Sequence, residues 1–213
     1  MTSGSGCEIA VFSKAPVAGS TKTRLIPLLG AAGAARLHCA LLQQALETAL
    51  EADIGRVLLW CTEDDPTLSD LATTLRVPIR RQCAGDLGQR MSHAFAELLA
   101  HAASVILVGS DCPVRGALDF QEAGRHLASG CEAVLGPTED GGYHLIALRS
   151  AQPALFTEID WRTPMVMEQT RRRMRALDLR WRELATRWDV DRPEDLLRLC
   201  ADPQLAELTR ACT

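Results

Sequence analysis

Lysine is almost missing from this chain. Of its 23 basic residues only Lys14 and Lys22 are lysines, and both fall in one loop. Aromatic residues make up 4% of the 213 positions, too few for a base-stacking platform. The net charge of −4 argues against wholesale nucleic-acid binding, which needs a basic face. The 8 cysteines form no C-x-x-C pair, so cysteine-held metal is not expected. With no secretory pattern in the opening residues, reduced thiols in a cytoplasmic protein are the expectation. No apolar run approaches the roughly 18 residues of a membrane span. Repeats, linkers and low-complexity tracts are also lacking, so residues 1–213 read as one domain, with 1–6 expected to be disordered.

What is present alternates between two periodicities. Near-continuous apolar runs at 7–13, 56–61, 104–109, 131–137 and 141–148 read as buried strands, with weaker ones near 77–82 and 179–185. Between them lie helical patterns near 31–52, 64–75, 86–102, 116–129 and 164–177, then 193–200 and 203–211. Asp86 and Pro66 mark helix starts. Strands buried on both faces and alternating with helices predict a three-layer α/β/α fold on a mostly parallel sheet.

In such sheets ligands gather beyond the carboxyl ends of the strands, so the segments following each strand carry the functional reading. After the first strand comes "SKAPVAGSTKTRL", with Lys14, Lys22 and Arg24 separated by Gly19 and other small residues. An ammonium is a compact point charge and a guanidinium a planar fork, so confining both lysines here suggests a site that needs the former. It is not a P-loop, because Thr21 stands where that motif needs Gly, and no G-x-G-x-x-G follows the strand. After the fourth strand comes "GSDCP" with Asp111, and after the fifth "GPTEDGG" with Glu139, Asp140, Gly141 and Gly142. "WDVDRPEDL" brings Asp189 and Asp191, and Arg90 lies one turn into the helix that Asp86 opens.

Each motif alone has a plain structural reading: a solvated basic loop, a strand-end turn, a hairpin, and a capping box with Asp191 as N-cap. Together they place cations beside carboxylates in one cleft, the chemistry of a phosphorylated ligand bridged by a hard divalent metal. The five histidines read as surface or satisfied core residues, His144 alone lying near the cleft. The arginines at 171–175 read as a solvated helix face.

Six motifs occur in order: "SKAPVAGSTKTRL", "GDLGQRM", "GSDCP", "GPTEDGGYHLIAL", W-x-T-P at Trp161 to Pro164, and "DVDRPEDL". With them the chain resembles, from about residue 8 to 197, the DUF2064 family. That family, transferase 1 associated with radical-SAM and selenium-related domains, is placed in the nucleotide-diphospho-sugar transferase superfamily with the GT-A fold. The resemblance implies a nucleotide-using, glycosyltransferase-like enzyme with Mg2+ or Mn2+ on the donor diphosphate. It implies metal binding by Asp111, in an Asp-x-Pro, and by Asp189 and Asp191, in an Asp-x-Asp. Nucleotidyltransferases of the superfamily open with a Gly-rich "GGxGxRM" loop, which this chain replaces with Lys14 to Leu25. NDP-sugar and NTP therefore both remain open as donors.

The expectation is a transferase with a nucleotide donor and a small-molecule acceptor. Lys14, Gly19, Lys22, Arg24, Arg90, Gly141 and Gly142 would bind the donor; Asp111, Asp189 and Asp191 would hold Mg2+ or Mn2+; Glu139 and Asp140 would be catalytic. The rivals are nucleotidyl transfer with pyrophosphate release, and a nucleotide-binding regulatory protein without turnover. Base, sugar, acceptor and oligomeric state are not legible.

Overall fold

A computed structural model describes residues 6–210; most of the disordered start expected at 1–6, and Cys212, lie outside the described residues. The elements, in chain order, are β1 (Cys7–Ser13), α1 (Ile26–Glu51), β2 (Gly55–Cys61), α2 (Pro66–Leu75), β3 (Ile79–Arg81), α3 (Leu87–Leu99), β4 (Ser104–Gly109), α4 (Ala117–Ala128), β5 (Ala133–Pro137), β6 (Tyr143–Leu148), α5 (Val166–Ala176), β7 (Trp181–Glu183), α6 (Pro193–Ala201) and α7 (Ala206–Arg210). Most boundaries agree with the sequence pattern to within a few residues; α1 starts earlier than expected, at Ile26 and not near 31.

The seven strands lie in the order β3-β2-β1-β4-β6-β5-β7. All neighbours are parallel except β6, which runs antiparallel to both β4 and β5. The order reverses between β1 and β4, and that switch point opens a crevice at their carboxyl ends. Alternation along β1 shows why the sheet must be covered on both faces. Ile9 and Val11 pack with Leu42 and Leu46 of α1 and Phe120 of α4. Ala10 and Phe12 pack with Phe95 of α3 and Met167 and Met174 of α5. Each fully buried Leu or Phe in these layers contributes about 1.5–3 kcal/mol.

A third apolar cluster positions the site. Leu25, Leu37 and Leu41 pack against Trp188, Val190, Leu196 and Leu199. It pins the segment before α6 to the loop after β1, although the two are far apart in sequence.

One helical stretch, Thr23–Glu51, is long and apolar enough by length and composition to cross a membrane, with a window of mean hydropathy 1.6. The expectation from the sequence concerns an uninterrupted apolar run, which this stretch does not contain. Arg36, His38, Gln43 and Gln44 break any continuous run yet leave the average high. Here Leu37, Leu41, Leu42 and Leu46 are buried in the core. The stretch also breaks at Gly30, whose φ of 67° and ψ of 167° are not helical.

Candidate active site

The loop after β1 folds on itself. Thr21 Oγ1 donates to the Ala15 carbonyl at 3.0 Å, and Val17 N to the same oxygen at 2.8 Å. Lys22 then adopts left-handed backbone angles, φ 49° and ψ 41°, a conformation that L-residues other than Asn and Asp seldom take. Its side chain is only 4% exposed. Nζ lies 2.6 Å from Asp111 Oδ1, 3.0 Å from Asp191 Oδ1 and 2.6 Å from the Val190 carbonyl. Burial alone would lower the pKa of this ammonium; the Asp111 and Asp191 carboxylates outweigh it and hold it above the ordinary value. Enclosure likewise works against ionisation of Asp111, and Lys22 outweighs it, keeping that carboxyl below its usual range.

Asp111 follows β4 and is fastened to the α6 approach by Val190 N donating to its carbonyl at 2.9 Å. The same stretch carries Asp189, whose Oδ1 is buried with no hydrogen-bond partner. Burial first, then the neighbouring charges of Asp111, Asp140 and Asp191, push its pKa up to about 7. Four aspartates from three segments thus share one field.

The turn between β5 and β6 completes the acid side. Asp140 Oδ1 accepts from Thr138 Oγ1 at 2.6 Å and Gly142 N at 3.0 Å. Gly141 has φ +88°, and a Cβ there would stand 2.2 Å from the Pro164 carbonyl, so only glycine lets the W-x-T-P segment close on this turn. Glu139 is half-exposed and doubly bonded to Arg198, at 2.7 and 3.2 Å. The Arg198 guanidinium in turn lies 4.4 Å over the Trp188 ring.

Among the remaining expected residues, Lys14 is exposed at the end of β1, and its carbonyl lies 3.1 Å from His38 Nε2. Arg90 donates to Gln82 Oε1 at 3.2 Å, and Gln82 Nε2 donates to Ser13 O and Trp60 O, which puts Arg90 at the carboxyl ends of β1 and β2. Gly19, with φ 88°, turns the loop, and both it and Arg24 are exposed on it. Neither touches the acid cluster.

Two expectations change. Asp191 does not cap α6: Asp195 Oδ2 takes the amides of Asp191 and Arg192 at 3.0 and 2.7 Å, because the Asp191 carboxylate is turned to Lys22. His38, read as an ordinary helix residue, is buried against the site. Its Nε2 lies 3.1 Å from Ser13 Oγ, and its Nδ1 lies 3.9 Å from Asp111 Oδ1 with no hydrogen-bond partner. Burial pushes its pKa down. Its place on the face shared with Leu37 and Leu41 was the available signal. His144 is buried too, with neither ring nitrogen paired and its pKa driven to about 3, first by burial and then by Arg115 and Arg187.

Among the described residues no three His, Cys, Asp or Glu side chains are grouped closely enough to hold a metal ion. The donor chemistry nevertheless fits a hard divalent cation. All the oxygens are carboxylate, Asp189 Oδ1 is buried and unpaired, and Asp111 and Asp191 share a single ammonium.

Sheet order and switch point are those of an α/β fold of the nucleotide-diphospho-sugar transferase type. The chain belongs to DUF2064, a family described as uncharacterized proteins conserved in bacteria, whose model matches residues 40–163. That match includes Asp111, Glu139 and Asp140. The expected resemblance over 8–197 is wider, and the match leaves out the lysine loop and Asp189 to Asp191. A crystal structure of a candidate nucleotide-diphospho-sugar transferase from Desulfovibrio desulfuricans is similar at 28% identity and TM-score 0.83, covering 96% of both chains. CMP:2-keto-3-deoxy-manno-octonic acid synthetase, solved with CTP, is 13% identical with TM-score 0.62, covering 95% of this chain and 99% of the other. Glucosyl-3-phosphoglycerate synthase from Mycobacterium tuberculosis, solved with Mn2+, UDP and glucosyl-3-phosphoglycerate, is 12% identical with TM-score 0.56. The similarity covers 97% of this chain and 80% of that one. The last two likenesses show the fold alone. No curated protein matches the chain in sequence.

Proposed function

We propose that the protein is a divalent-cation-dependent transferase that uses a nucleotide donor, with glycosyl transfer from an NDP-sugar as the first reading. The observation that carries it is the meeting of Lys22 with Asp111 and Asp191, with Asp189 in the same field, at the carboxyl end of β4. Asp111, Asp189 and Asp191 would hold Mg2+ or Mn2+, which when bound supplies Lewis-acid neutralisation of the donor phosphates. Lys14, Lys22 and Arg24 would add positive charge where the leaving group develops negative charge, and Gly19 lets their loop turn. Arg90 borders the donor side of the cleft, and Gly141 and Gly142 let backbone approach the ligand. Asp140 holds the turn through Oδ1, which leaves Oδ2 for an acceptor hydroxyl. Glu139, engaged by Arg198, would shape the acceptor side and accept the proton once that pair opens.

The second reading is nucleotidyl transfer from an NTP. Three cations in one loop favour it, since a triphosphate carries more charge than a diphosphate. Incubation with NTPs and NDP-sugars in Mn2+ separates them: a nucleoside diphosphate with a transferred sugar supports the first, pyrophosphate the second. Donor binding should raise the melting temperature with Mn2+ and much less without it. No shift from any NTP or NDP-sugar, with or without Mn2+, overturns both readings; binding without product leaves a regulatory protein.

A further inference from the structure

The loop lysine presents a conflict inside the proposed site. An ammonium has three N–H donors. Those of Lys22 face Asp111 Oδ1, Asp191 Oδ1 and the Val190 carbonyl, all within 3.0 Å. In this arrangement the side chain has nothing left to offer a phosphate. It also stands between two carboxylates that the transferase reading assigns to a metal. One site cannot be used both ways at once.

We propose that Lys22 is a resident counter-ion: it holds the gap between Asp111 and Asp191 until a divalent cation enters, then leaves that gap for the donor phosphates. The proposal rests on the transferase reading and adds its order of events. Metal and nucleotide are coupled through one side chain. Because coupling free energies are reciprocal, a nucleotide that draws Lys22 away tightens metal binding by the factor by which metal tightens nucleotide binding.

Three further observations support the exchange. A compact point charge on a four-carbon stem can stand in for a cation between carboxylates, which a planar guanidinium fork does less well; only two of the chain's 23 basic residues are lysines. Lys22 keeps a left-handed backbone, and such strain persists only where surrounding contacts hold it, so losing the acid contacts removes part of the reason for the conformation. The exchange asks only the Lys22 side chain to move, within a loop that Leu25 keeps anchored. Gly19, Ser20, Thr23 and Arg24 are exposed, and the loop's own hydrogen bonds, such as Thr21 Oγ1 to Ala15, do not involve the Lys22 side chain.

The chain's composition supplies the test. With only two lysines, acetylation by an N-hydroxysuccinimide ester, read peptide by peptide by mass spectrometry, reports Lys14 and Lys22 separately. In metal-free protein Lys14 should react and Lys22 should be shielded. Magnesium chloride alone, at fixed pH, should raise the Lys22 rate by about tenfold, the scale of one released charge-assisted hydrogen bond, with Lys14 unchanged. An NTP or NDP-sugar added with Mg2+ should shield Lys22 again. In parallel, Mn2+ binding without nucleotide, measured by electron paramagnetic resonance, should tighten by about tenfold in Lys22→Met, since the competing ammonium is gone. If Mn2+ binds the wild type while Lys22 labelling stays flat or falls, the exchange is overturned and the transferase reading stands. If no Mn2+ binds with or without nucleotide, the exchange and the metal-dependent reading fall together. The labelling arm uses the unaltered chain, so a poorly folding variant does not blunt the test.

Discussion

Asp189 lies in the field of two charge clusters of opposite character. In front, two aspartates share one lysine whose donors are all placed. Behind, cations dominate. Arg115 is buried and donates Nη1 to the His144 carbonyl at 3.3 Å, and its guanidinium lies 5.6 Å over the Phe120 ring. Arg187 Nη2 reaches Asp119 Oδ1 at 2.8 Å. Yet Nε and Nη2 of Arg115, Nε of Arg187 and both His144 nitrogens have no hydrogen-bond partner. The front cluster is acidic and held by a flexible stem whose donors are all placed, with Asp189 Oδ1 left unpaired; the rear is basic, with several unpaired donors, and built from planar groups on packed elements. Buried donors without partners cost stability. The rear cluster is tied to packed elements through Asp119, the His144 carbonyl and Phe120, whereas the front is where charge can be exchanged.

The largest expected effect breaks the rear pair. Asp119 is buried at 3% exposure, and its other oxygen takes Gly116 N at 2.8 Å as the cap of α4. Arg187→Met leaves that carboxylate buried without its cation and should cost about 3 kcal/mol, or roughly 6–12 °C in melting temperature for a chain of this size. Arg115→Met should be much milder, because it removes two unpaired buried donors along with the charge and keeps the bulk. Equal losses in thermal melts would mean that the rear cluster acts through packing, not charge.

The front cluster makes stability depend on pH through Asp189. In the folded protein the Asp189 carboxyl titrates near 7, above an ordinary value of 3.8. Above pH 7 it is ionised in both states, and the folded state carries the full penalty of a buried charge. As pH falls from 7 toward 4 the folded state takes up the proton first, so stability rises, at a slope approaching about 1.4 kcal/mol per pH unit. Asp111 has the opposite sign: its depressed pKa adds stability above its ordinary value, lost only in stronger acid. Asp189→Asn should therefore raise the melting temperature at pH 8 and flatten the profile between pH 4 and 7, while weakening Mn2+ binding. Unfolding at several pH values checks this, and an unchanged profile would place the rise in stability elsewhere.

The same contrast marks what was legible in the sequence. The strand runs, the Asp86 cap and the carboxyl-end positions of Lys22, Asp111, Glu139 and Asp140 could be read directly, because local periodicity and turn chemistry encode them. Side-chain partners could not. Glu139 meets Arg198 across 59 positions, and Lys22 meets Asp191 across 169; spacing says that cation and acid exist, not that they already neutralise one another. Asp191 read as the cap of α6, but its carboxylate is drawn to Lys22 and Asp195 takes the amides of Asp191 and Arg192 instead. His38 was missed for a related reason: an ionisable residue on an apolar helix face looks the same whether it serves packing or a site.

The smallest predicted effect serves as the measure for the others. Asp65 caps α2, its Oδ1 accepting from Thr67 N at 2.8 Å and Leu68 N at 3.3 Å, and α2 precedes the edge strand β3. It is an acid with one structural task, unlike the aspartates of the front cluster. Asp65→Ala should cost about 1 kcal/mol, a few degrees of melting temperature, while Asp65→Asn, which keeps an accepting oxygen, should cost little. Mn2+ and nucleotide affinities should not move in either. If the capping variant weakened ligand binding as Asp189→Asn does, the cleft would be responding to overall stability, and the front cluster would lose its claim to a separate electrostatic role.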